Sequence, residues 1–260
     1  DNYKHATKIK PDFAEAYCNR GICLKDKGDL EAAIDSYKQA IKIKPDFAEA
    51  YNNMGNALKN KGDLEAAIDS FKQALKLKPN FAEAYNNIGM ALNDKGDLYA
   101  SLDSYMQAIK IKPDYADPYY NMGAALTGVT FTQPNVCLME VMVLVLDQKA
   151  ACRPKLIAQA AISLLKLEPT LKDLLNKHTL GALRQPLQDT ISDLSKLPLL
   201  LKLMSVCPIP DLELENILVD IRLALLSSVD ETFISPEILR FQSALALQCF
   251  TNEYIYNQTH

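Results

Sequence analysis

Between residues 14 and 115, apolar side chains recur every three or four positions in short blocks, and the same few residue types break the blocks at regular places. In the block 64–77, Leu64, Ala67, Ile68, Phe71, Ala74 and Leu75 fall on one stripe of a 3.6-residue period, which predicts an amphipathic helix buried along that stripe. Tyr17, Tyr51 and Tyr85 are expected to open a preceding helix in each block. The small Gly21, Gly55 and Gly89 would let a neighbour approach that helix closely. Gly28, Gly62 and Gly96 stand where a helix needs a left-handed C-terminal residue. Asp29, Asp63 and Asp97 follow as N-caps of the second helix. Pro45, Pro79 and Pro113 then stop it, because proline cannot extend a helix from within.

The punctuation is periodic. Aligned without gaps, residues 14–47 and 48–81 share 25 of 34 residues, and 48–81 and 82–115 share 21 of 34. A fourth copy starts at 116–127 and loses the pattern, while DNYKHATKIKPDF at 1–13 matches DSYKQAIKIKPDF at 35–47 and reads as the second half of an earlier copy. The chain is therefore expected to be a piece of a longer protein. Self-similarity at this period marks a helix–turn–helix solenoid. With Tyr, Gly, Ala, aromatic, Ala and Pro at matching places in three successive copies, residues 1–127 resemble the tetratricopeptide repeat (TPR) family. The resemblance implies a right-handed superhelix, an all-α solenoid whose first helices line a concave face. Arg20 departs from the Met54, Ile88 and Met122 of the other copies and reads as a snorkelling surface residue.

After a connector at 128–134 the texture changes. Gly181 is the only glycine beyond Gly128, and aromatics fall from fourteen in residues 1–128 to six in the rest. Leucine pairs and proline starts predict helices near 135–147, 154–166, 169–178, 185–195, 198–206, 211–227 and 236–257, with Asp211 as a cap and GVTFT at 128–132 as a loop. No stretch alternates with period two, so 135–260 is read as a second all-helical domain with no sheet. RPKLIAQAAISLLKLEP, ISDLSKLPLLLKLMSVCPIPDLELENIL and FQSALALQCFTNEYIYNQT resemble a helical region that, in some bacterial proteins, lies between TPR repeats and a methyltransferase domain using S-adenosylmethionine. That resemblance implies a catalytic domain outside this chain. The glycine-rich turn such a cofactor needs is absent.

The formal charge of −4, with no basic run, argues against nucleic acid and anionic membranes as partners. The longest apolar stretch, 136–146, is too short to cross a bilayer. The six cysteines form no CxxC pair and lie far from His5, His178 and His260. They read as reduced, mostly buried thiols of a cytoplasmic protein, without a metal or other cofactor. His178 is placed in the last turn of its helix, facing the negative end of the dipole, and Glu213 and Glu215 on a solvated face. Cys249 near Glu253 has no histidine close in sequence, and no catalytic motif is present, so the chain is read as non-catalytic.

One feature of the repeats goes beyond packing. Position six is Asn19, Asn53, Asn87 and Asn121, and position five is Cys18, Asn52, Asn86 and Tyr120. A turn further along come Asn56 and Met90, then Lys59 and Asn93. Asparagine is a mediocre helix former, which makes its recurrence informative. A primary amide can both donate to and accept from the backbone of an extended peptide, and the pattern resembles the asparagine ladder of protein O-linked sugar transferases. The amides can equally brace neighbouring helices, and both uses stay open. A carboxylate clamp of the chaperone-binding kind does not fit Glu49, Glu83 and Asn87. The expected function is thus a non-catalytic module holding a protein or peptide in the concave groove. The alternatives are a substrate-recruiting arm of a larger methyltransferase or other transferase, and a solenoid fragment that self-associates through its cut N-terminal repeat.

Overall fold

A computed structural model describes residues 12–148, 153–178, 186–227 and 236–256. The half repeat at 1–10 with its proposed self-association, His5, Cys152, Gly181, His260 and the side chains of Cys249 and Glu253 lie outside the described residues. Fourteen helices and no strand are present among those described, and they form two compact units, Asp1–Asn121 and Met122–His260.

The first unit alternates α1 (Ala14–Asp26), α2 (Leu30–Ile43), α3 (Ala48–Lys61), α4 (Leu64–Leu77), α5 (Ala82–Lys95) and α6 (Leu98–Ile111). The second helix of each pair starts as expected: the carboxylates of Asp29, Asp63 and Asp97 accept from the backbone N–H of Ala32, Ala66 and Ala100 at 3.2, 3.3 and 3.2 Å. Gly62 and Gly96 close α3 and α5 at φ 90° and 87°. The first helices, however, start at Ala14, Ala48 and Ala82, three residues ahead of the tyrosines. The Lys-Pro-Asp-Phe turn, closed by Phe47 N–H donating to the Lys44 carbonyl at 3.2 Å, ends just before Ala48. Ala-Glu-Ala then enters the helix at once, with Glu49 in the first turn where a negative charge suits the helix dipole.

Each pair closes on an aromatic ring. A Cβ added to Gly21, Gly55 or Gly89 would lie 2.5 Å from the ring of Tyr37, Phe71 or Tyr105, all fully buried in α2, α4 and α6. Exposed ion pairs repeat with the period. Lys44–Glu15, Lys78–Glu49 and Lys112–Glu83 lie within repeats, and Lys61–Glu31 and Lys95–Glu65 join successive ones. Pairs this exposed contribute about 0–1 kcal/mol each. Buried alanines and rings therefore hold the solenoid.

Helix α7 (Ala116–Ala125) spans the division between the units. Beyond it come α8 (Val136–Asp147), α9 (Pro154–Leu165), α10 (Pro169–His178), α11 (Leu187–Ser195), α12 (Pro198–Val206), α13 (Leu212–Ser227) and α14 (Pro236–Tyr256). Asp211 caps α13 through the Leu214 N–H at 3.0 Å. The nine-residue α12 packs against α8, α9, α11 and α14, and its Leu199, Leu200, Leu203 and Met204 are buried. Loop 128–132 is irregular as expected, but Phe131 is buried and its N–H donates to Ser163 Oγ at 2.9 Å. Two surface readings change. Glu215 is half-buried and accepts from Arg222 at 3.0 Å, because its helix turns it inwards, whereas Glu213 stays exposed. His178 does end α10, but Nε2 lies 2.7 Å from Asp220 of α13, so a side chain on another helix meets it. Cys18 and Cys207 are buried, while Cys23 and Cys137 are exposed, so burial of the thiols is less general than expected.

Candidate functional site

The asparagines of positions five and six do not play the same part. The amide of Asn121 donates through Nδ2 to Oδ1 of Asn86 at 2.9 Å, and that of Asn87 to Oδ1 of Asn52 at 3.0 Å. The Asn53 amide makes the same step to Cys18 Sγ at 3.6 Å. Every bond runs from position six of one repeat to position five of the repeat before it, so first helices are stitched edge to edge by side-chain amides. Asn52 and Asn86 are accordingly buried, 8% and 3% exposed, and are not open to a ligand as expected. Position five lies toward the preceding helix, where an isolated amide would be costly and a paired one is stable. Sequence periodicity placed both positions on one face. The offset of 35 rather than 34 residues between partners is the signal that separates them.

The position-six amides keep capacity in reserve. Asn19 is exposed, and Asn53, Asn87 and Asn121 are half-buried. One N–H of each braced amide is used. Among the described residues, the carbonyl oxygens of Asn53, Asn87 and Asn121 accept no hydrogen bond. A second N–H and two lone pairs per amide therefore stay available on one line, one amide per first helix. Asn56 and Met90 are half-buried beside this line, with Met90 Sδ 3.7 Å from the Asn86 amide. Asn93 is exposed, and Lys59, 16% exposed, lies 3.9 Å from Asp94 of the next repeat. Asn60 occupies the place of Asp94 one repeat earlier, and there Lys25 turns to its own neighbour Asp26 at 3.5 Å. Tyr120 replaces the amide at the end of the series and is 63% exposed. Burial pushes the Cys18 thiol up, against a smaller opposite effect of the Asn53 bond, so it stays protonated beneath the line.

This set of amides, one thioether and a screened lysine has no nucleophile–base pair. What it offers is hydrogen-bond donors and acceptors. Among the described residues no group of three or more His, Cys, Asp or Glu could hold a metal ion, and no helix is long and apolar enough to cross a membrane.

Residues 23–62, 55–96 and 89–127 match the family profile described as TPR repeat, and residues 2–35 match one described as tetratricopeptide repeat. No curated protein sequence matches the chain. Among solved structures, YrrB, described as a TPR protein with an unusual peptide-binding site, is similar with a TM-score of 0.52 at 18% identity, covering 68% of this chain and 90% of its own. MamA gives a TM-score of 0.46 at 24% identity over 68% of this chain and 87% of its own. A mutant O-GlcNAc transferase of Thermobaculum terrenum gives 0.45 at 22% identity over 52% of this chain and 25% of its own. The matched repeats carry the capped helix pairs, ring-to-glycine contacts and 34-residue period described above, and residues 2–127 of this chain are tetratricopeptide repeats.

Proposed function

We propose that the chain is a protein-interaction module that binds an extended peptide segment of a partner along the line Asn19, Asn53, Asn87 and Asn121. The observation that carries this reading is the reserve on the position-six amides: free carbonyl oxygens at equivalent places on successive first helices. A peptide backbone presents N–H and C=O groups at regular intervals and can use such acceptors and donors without reading side chains. Asn56, Asn93 and Tyr120 flank the line and would set preference between peptides. YrrB, a protein of similar fold, has a peptide-binding site, which supports this use of the repeats.

The test needs amides that can be removed without loosening the repeats. Among the described residues Asn19 forms no brace, and Asn53 braces only a sulfur, a weak acceptor. Peptides would be selected from a random displayed library on the folded chain, then measured against wild type and N19A/N53A by fluorescence anisotropy. Binding should weaken by about 1–3 kcal/mol, roughly 5- to 150-fold, with unchanged thermal unfolding. Selected peptides that bind the variant equally well would place the site elsewhere.

A further inference from the structure

Helix α8, VCLMEVMVLVLD, is apolar on both sides. Leu138, Val141, Met142, Val145 and Leu146 are buried in the second unit. On the opposite face Val136 is 65% and Leu144 48% exposed, with Met139 and Val143 half-buried between them. A helix that is hydrophobic all round is ordinarily covered all round. The uncovered face borders two cavities that share Val143 and Pro198. One, of about 550 Å³, is lined by α8, α12 and α14 through residues including Leu201, Leu239 and Leu247. The other, of about 280 Å³, is lined by residues including Val136, Met139 and Leu165. Leu239 and Leu247 are themselves about half exposed, at 52% and 48%.

Two exposed charges of opposite sign on this patch stand without an ionic partner among the described residues, while the half-buried Glu168 of the smaller cavity accepts from the Leu171 N–H and the Thr170 hydroxyl at the start of its own helix. Glu140 lies in the smaller cavity and Arg240 in the larger, on either side of the Val143–Pro198 ridge. Both are exposed, and neither has an ionic partner among the described residues. Lys202, by contrast, is neutralised by Asp147, and Lys196 by Asp193. A surface with an anion on one side of an apolar ridge and a cation on the other is complementary to itself. A two-fold axis through the ridge would set Glu140 of one copy against Arg240 of the other, twice, and would stack the apolar faces of the two α8 helices between them.

We propose that this face is an isologous dimer interface, with a second copy of the chain as its occupant. It is separate from the amide line of the repeats and does not depend on peptide binding there. The alternative of an acidic amphipathic helix from another protein would satisfy Arg240 but leave Glu140 facing a like charge.

Sedimentation equilibrium of the full chain tests the proposal. The expected result is a concentration-dependent approach to twice the 28.9 kDa chain mass. V143E should abolish it while circular dichroism stays helical. E140R and R240E alone should each raise the dimer dissociation constant about tenfold or more, because each puts like charges face to face. E140R/R240E together should restore it to within about threefold of wild type. A monomer at every concentration up to about 0.2 mM overturns the proposal. So does a dimer indifferent to V143E, or a double variant no tighter than the singles.

Discussion

At the scale of the residue, the six helical and turn glycines of the repeats, which look interchangeable in a sequence, carry two opposite requirements. Gly62 needs its conformation: at φ 90° with nothing within 4 Å of an added Cβ, a substitution is strained but not crowded. Gly55 needs its emptiness: it is helical, and a Cβ there meets Cε1 of Phe71 at 2.5 Å and Cδ1 at 2.7 Å. The ring cannot yield freely, since it is fully buried in the core of its repeat. Gly55→Ala should therefore destabilise by about 1–3 kcal/mol through overpacking, despite the better helix propensity of alanine. Gly55→Ala combined with Phe71→Leu should recover part of that loss, since a smaller side chain vacates the contested space. Urea unfolding of the three variants measures the coupling. A Gly55→Ala protein as stable as wild type would mean that the ring can move aside.

At the scale of the element, the amide stitch joins α3 to α5 and gives the solenoid a polar seam between repeats. Asn87→Ala removes the donor and leaves the buried Oδ1 of Asn52 without its partner, so it should cost about 1–3 kcal/mol. Asn52→Ala/Asn87→Ala, which removes both ends, should cost clearly less than the sum of the single changes, and denaturant titration of the four proteins reads that difference. Additive losses would show that the bond contributes nothing specific. The stitch also marks the limit of what the sequence made legible. Gly62, Asp63 and Pro79 are local signals with one physical meaning each, so the second helices and their caps could be placed directly. The helices of the second unit could be placed the same way, because Pro154, Pro169 and Asp211 announce them. The early start of α3 at Ala48 was hidden, since alanine is equally at ease before and inside a helix. The burial of Asn52 was hidden too. It depends on which flank of α3 the neighbouring repeat covers, and that is a matter of helix-to-helix geometry rather than of period. Glu215 failed for the same reason: its partner Arg222 lies in the same helix, but its burial comes from other elements.

At the scale of the whole molecule, the groups whose proton affinities the fold displaces give the stability of both units a dependence on pH. On the acid side, Lys61 and Lys95 hold the carboxyls of Glu31 and Glu65 below the usual carboxylate range, and backbone hydrogen bonding does so first for Glu49. Their contribution is present above the unfolded value and is lost as pH falls through the folded one. All three are well exposed, so this limb is shallow. The alkaline limb is different in kind. Burial raises Cys207 in the second unit from 9.0 to about 11 and raises Cys18 in the first. Burial also raises Tyr37 and Tyr105 above 10.0. For an acid held neutral in the fold, the unfolded chain releases its proton first, so stability falls as pH rises from the unfolded value towards the folded one. The thiols should act first, from about pH 9, and the tyrosines from about pH 10. Wild type should then lose urea resistance between about pH 8.5 and 9.8. C18A/C207A should start lower at neutral pH, because two buried sulfurs are gone, yet decline less over the same interval. The comparison of slopes is what matters: parallel slopes would assign the alkaline limb to other groups, whereas a flattened slope ties it to two thiols that the fold keeps out of water in both units.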